Sequence, residues 1–93
     1  MSEFSVDTKS LFEAAADLNK LFYQCDSIVQ EMDQIISCFH YQINSDGYDN
    51  EINCLIIQSA NLKNSRENLA SAANTLQKIA ECYEAVSYTH LRA

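Results

Sequence analysis

Between Leu11 and Ile43 the apolar positions fall at 11, 15, 18, 22, 25, 29, 32, 36, 39 and 43, in alternating steps of four and three. Only an α-helix puts side chains with that period on one face, because a strand sends alternate residues to opposite sides. The seam so defined is Leu11, Ala15, Leu18, Phe22, Cys25, Val29, Met32, Ile36, Phe39 and Ile43. A second row, Ala14, Leu21, Ile28 and Ile35, flanks it at seven-residue spacing. Three apolar positions in seven make a stripe wider than a two-stranded coiled coil uses, and predict a helix with neighbours on two sides. Phe12, Phe22 and Phe39 are candidate anchors for such a neighbour, since large aromatics dominate interface energetics, with ordinary intramolecular core as the other reading of each.

The start of this helix is marked by Asp7 as N-cap, with Val6 and Leu11 placed to form a hydrophobic staple. Ser10 and Glu13 offer a capping box one turn later. The pattern stops at residues 44–50, which hold the only glycine of the chain, Gly47, followed by Tyr48. Small polar residues there compete with the helical backbone, and Asp49 or Asn50 can cap a second helix. Glu51 complements the dipole of that helix.

The second helix carries Leu55, Leu62, Leu69, Leu76 and Tyr83 at strict seven-residue intervals. Ile52, Ala73 and Ala80 take the partner position, with Ala72 and Ile79 alongside. Ser59 and Arg66 also fall on the seam, where polar residues fix register at a cost in stability. The simpler expectation is a slight helix rotation that lets Arg66 snorkel to the surface. Helix 1, at 1.5 Å per residue, would be about 50 Å long, and a short connection makes the two helices antiparallel neighbours. The fold expected is all-α: one domain over 1–85, with helix 1 at about 7–43, a hinge at 44–50 and helix 2 at about 51–85. A lone hairpin leaves part of its stripe exposed, and pairing two hairpins into a four-helix bundle would cover it. The core or dimer stripe is read as Leu11, Leu18, Phe22, Val29, Ile36, Phe39, Leu55, Leu62, Leu69 and Leu76.

Composition narrows the function classes. One glycine, no proline and no tryptophan in 93 residues leave too few turns for a β fold. Thirteen acids against six bases, a net charge of -7, repel phosphate backbones and anionic membrane surfaces, so neither nucleic-acid binding nor membrane insertion is expected. The longest purely aliphatic run, Leu55-Ile56-Ile57, falls far short of the roughly 20 residues of a membrane span. The amino terminus lacks the basic start and apolar core of a signal peptide.

Chemistry-bearing residues are sparse. Cys25, Cys38, Cys54 and Cys82 contain no C-x-x-C pair, so a zinc site is not expected. Cys38 and Cys54 could approach each other across the hinge, but reduced cysteines serving as small apolar residues are the favoured reading. His40 sits near the end of helix 1 with Asp33 and Cys38 before it, none in a dyad spacing, and suits a solvated residue at a helix C-terminus. Asp17, Asp26, Glu31 and Asp33 are read as a solvated outer face. One glycine cannot build a phosphate loop, and there is no E-x-x-H pair for a di-iron bundle. The expectation is a non-enzyme without cofactors or metal.

The last eight residues, Val86-Ser87-Tyr88-Thr89-His90-Leu91-Arg92-Ala93, break the preceding pattern. They resemble the conceptual translation of a transposon adapter used in preparing sequencing libraries. The resemblance implies that 86–93 is a non-native tail and that the native protein is known to about Glu84 or Ala85.

Three features of the rest resemble the WXG (ESAT-like) family of small type VII secretion substrates. They are Val6-Asp7-Thr8 before a heptad helix, Gly47 in a short polar hinge, and the ending Leu76-Gln77-Lys78-Ile79-Ala80-Glu81-Cys82-Tyr83-Glu84. The family's tryptophan, two residues before the hinge glycine, is Ser45 here, and Tyr48 supplies an aromatic at the turn only loosely. Tyr83 matches the tyrosine that opens the family's Tyr-x-x-x-Asp/Glu export signal, whose acidic partner belongs at position 87, where Ser87 stands. The resemblance implies export as a folded helical dimer, by a type VII-like route to the cell surface or medium after a cytoplasmic stage. Recognition would be by a membrane-bound secretion ATPase. Partners would be a second copy, a similar hairpin, or the N-terminal domain of a larger toxin. Two alternatives stand beside it: the targeting domain of a truncated polymorphic toxin, and a cytosolic coiled-coil adaptor, since heptads specify association and not purpose.

Overall fold

The computed structural model describes residues 6–42 and 47–92, with side chains over 6–40 and 47–86. Two α-helices account for nearly all of it: α1, Thr8–Gln42, of 35 residues, and α2, Asp49–Arg92, of 44. The fold is an all-α helical hairpin. Ile43 and hinge residues 44–46 lie outside the described residues.

α1 begins as its sequence dictates. The Asp7 carboxylate accepts from the Ser10 backbone N–H at 2.7 Å, and the Asp7 carbonyl accepts the first helical bond from Leu11 at 3.1 Å. The Ser10 N–H is the main reason the Asp7 carboxyl is held below its ordinary range. α2 begins at Asp49, two residues before the expected 51. The Tyr48 carbonyl accepts from the Ile52 N–H at 2.9 Å, so Tyr48 takes the cap position expected of Asp49 or Asn50. Asp49 and Glu51 then lie in the first turn, where carboxylates favour the helix dipole. The far end of α2 also differs: the helix runs on through 86–92, a stretch with no glycine or proline to stop it.

The chain divides into two compact units, Phe22–Asn68 and Met1–Leu21 with Leu69–Ala93. In the first, Asp26 bonds Arg66 and Asp33 bonds Ser59. Seven residues forward on α1 thus match seven residues back on α2, which is antiparallel pairing in heptad register. Val29, Ile52 and Ser59 are buried in this unit, and Phe22, Ile36, Phe39, Leu55 and Leu62 are half-buried around them. The half-buried Cys25 thiol donates to the Leu62 carbonyl at 3.5 Å. In the second unit the buried residues are Ala15, Ala73 and Ala80, with Leu11, Leu18, Leu69 and Leu76 half-buried. A core centred on alanines lets two helix backbones approach closely, whereas the first unit fills its seam with larger side chains.

Every described seam residue of α1 is buried or half-buried. In the flanking row Ala14 is half-buried, but Leu21, Ile28 and Ile35 are each about half exposed. Phe12, Phe22 and Phe39 are half-buried within the hairpin, and Phe22 packs edge-to-face on Tyr23 with ring centroids 5.3 Å apart.

Candidate functional site

The two flanks of the helix pair in unit Phe22–Asn68 differ in chemistry. One flank is formed by residues just after the seam, Asp26 and Asp33 on α1 and Lys63 on α2. Asp26 meets the Arg66 guanidinium at 2.9 Å, and Arg66 also donates from Nε to Glu67 at 3.0 Å. Asp33 takes the Ser59 hydroxyl at 2.8 Å and the Lys63 ammonium at 3.1 Å. The Ser59 hydrogen bond is the leading cause, and Lys63 the next, that hold the Asp33 carboxyl below its ordinary range. Asp26, then Glu67, raise Arg66 above its own. This flank closes on itself.

Two sequence expectations are corrected by this geometry. Asp26 and Asp33 are not part of a solvated outer face; they reach across to α2, while Asp17 and Glu31 are exposed. Nor does α2 rotate to release its polar seam residues. Ser59 is 1% exposed and the Arg66 side chain only 24%, so both keep their seam positions and take partners from α1. The matching seven-residue spacings of Asp26 with Asp33 and Arg66 with Ser59 are the signal that marks this arrangement in the sequence.

The opposite flank is formed by residues just before the seam. On α1 these are Ile28 and Ile35, 49% and 50% exposed. Glu31 lies between them, three residues after one and four before the other, so all three share one surface. On α2 the same flank carries Glu51 and Gln58, which line an open, mostly apolar groove of about 470 Å³ with Asn50, Cys54 and Leu55. Since Asp33 and Lys63 join the two ionic flanks, the flanks bearing Ile28, Ile35, Glu51 and Gln58 lie along the other side of the same helix pair. Ile56, 42% exposed, follows seam residue Leu55 on the same flank of α2 as Lys63, and Ile57 and Tyr23 are exposed farther from the seam.

In the other unit, α2 carries a groove of about 580 Å³ lined by Thr75, Lys78, Ile79, Cys82, Tyr83 and Val86. Tyr83 is 47% exposed there. A smaller groove of about 350 Å³ is lined by Phe12 from α1 with Glu81, Glu84 and Ala85 from α2. Tyr83 and the hinge residues Gly47 and Tyr48 therefore belong to different units.

The cysteines are free. Cys25 is half-buried, whereas Cys38, Cys54 and Cys82 are exposed, so only Cys25 is used as a small apolar seam residue. His40 is exposed in the last turn of α1. Among the described residues, no three His, Cys, Asp or Glu side chains gather as a metal site would need, and no helix is long and apolar enough to cross a membrane. Compared with models of protein families, with curated proteins and with solved structures, the chain matches none.

Proposed function

We propose that this chain is a WXG-like helical hairpin that works by associating with another helical protein, and that a type VII-like secretion system exports it or its partner. The observation that carries the association half is the uncovered pair Ile28 and Ile35 beside a buried seam in unit Phe22–Asn68. Apolar side chains repeating at seven-residue spacing form a surface that a partner helix fits. Binding is the role this supports in preference to catalysis. Asp26 and Asp33, the carboxylates nearest the seam, are engaged by Arg66, Ser59 and Lys63.

The export half rests on Tyr83. Its side chain is open to a recognising protein beside the groove of α2. An aromatic residue on a regular helix with a carboxylate four residues on presents both groups on one face. Ser87 occupies that carboxylate position in this sequence.

The test is export from a host with an active type VII system. Tyr83→Ala should remove the protein from the medium while leaving its intracellular level unchanged. Ser87→Glu should increase the exported fraction. Export that ignores both changes would leave only the association half, which is the cytosolic adaptor reading.

A further inference from the structure

We propose that the open flank of unit Phe22–Asn68 is the docking surface for a partner helix whose apolar stripe is bordered by lysine or arginine, and not for a second copy of this chain. The inference rests on the association half of the proposal above and is independent of export.

The two flanks of this unit are unequal in charge. On the ionic flank, Asp26 and Asp33 already have Arg66, Ser59 and Lys63 as partners. Lys63 and Arg66 are the only lysine or arginine between Phe22 and Asn68. Both are engaged on that side, so the open flank has no cation of its own. What it has is two half-exposed isoleucines, an adjoining apolar groove floored by Leu55, and two exposed carboxylates, Glu31 and Glu51.

Apolar side chains between carboxylates select their partner by charge. A two-fold association of identical hairpins through this flank is self-complementary, and brings the same acidic surface against itself. Glu31 and Glu51 would then face like charges at the border of a surface being dried, which disfavours the pairing. The whole chain, at -7, adds to the repulsion. A helix with Leu or Ile at heptad spacing and Lys or Arg beside them meets the same surface with its apolar stripe buried and both carboxylates paired. The device matches the way flanking charges choose partners in coiled coils.

The test uses the full chain and two synthetic amphipathic helical peptides with one apolar stripe, one bordered by lysine and the other by glutamate. Binding is measured by fluorescence anisotropy at low and high salt, and the self-association of the chain alone by sedimentation equilibrium. The lysine-bordered peptide should bind about tenfold more tightly at low salt, with the preference shrinking as salt screens it. Glu31→Lys with Glu51→Lys should reverse the preference. Glu81→Lys with Glu84→Lys, the same change in net charge in the other unit, should keep it. Ile28→Ser with Ile35→Ser should weaken both peptides, with helicity by circular dichroism confirming that the hairpin is intact. A salt-insensitive homodimer, equal binding of the two peptides, or a preference unmoved by the Glu31 and Glu51 changes would each overturn the proposal.

Discussion

Single residues in this hairpin take their roles from what α2 offers to α1. Ser59 is the clearest case: a hydroxyl on a seam whose other polar member is Arg66, 1% exposed, donating to Asp33. Ser59→Ala should cost no more than about 1 kcal/mol, because the half-exposed Asp33 keeps Lys63 and water as partners. Its sharper signature should be the Asp33 titration, moving up toward the ordinary aspartate range when followed by carbon-13 NMR. Val29, 2% exposed, carries a different load. Val29→Ala removes two buried carbons with no solvent to refill the space, and should cost about 2 kcal/mol in chemical denaturation. The thiols supply a third check. Cys38, Cys54 and Cys82 should react quickly with a thiol reagent, and Cys25 only as the helices part, because its sulfur lies half-buried against the Leu62 carbonyl.

At the scale of elements, each helix boundary has its own cause. Asp7 caps α1 through its side chain, whereas the start of α2 relies on the Tyr48 carbonyl and on the acids of its first turn. Gly47 is less demanding than its place in the hinge implies. Its φ lies outside the left-handed region, and a Cβ there would meet nothing within 4 Å. Gly47→Ala should therefore stabilise the hairpin by about 0.5 kcal/mol, by restricting the unfolded chain, and thermal unfolding would show it. A loss of stability would instead reveal a strained hinge. The heptad of α1 made its seam legible, but the same period could not say which neighbouring row would be covered. Leu21, Ile28 and Ile35 match the seam residues in hydrophobicity, and only the position of α2 leaves them open. The phenylalanines stay open to both readings at this level: Phe12, Phe22 and Phe39 are half-buried, and large aromatics suit an outside partner or an inside one equally.

At the scale of the whole molecule, pH should act from the acid side. Asp7 and Asp33 both have folded pKa values below the ordinary 3.8. Each therefore binds its proton less readily when folded, and its contribution to stability is full above that ordinary value. The contribution fades as pH falls through the lowered folded values. Arg66 is raised, so its contribution holds below the ordinary arginine range and is lost only at extreme alkaline pH. Stability followed by denaturation should stay flat with respect to these three groups from neutral pH down to about 5, then decline below about 4. A steep loss already at pH 6 would mean that another group governs it.

What the sequence alone determined is local and periodic: two helices, their seam, the side-chain cap at Asp7 and a break around Gly47. Each follows from backbone stereochemistry or from the 3.6-residue period, which a one-dimensional pattern carries in full. What only the tertiary structure decided is pairing across the helices. The sequence could not distinguish a solvated Asp26 or Asp33 from one reaching Arg66, Ser59 and Lys63, because the partners stand 26 to 40 residues away. Register made that choice. By drawing both cations of the unit to one flank, it left the other apolar and acid-bordered, and that unequal division of charge is a property of the packed pair and of neither helix alone.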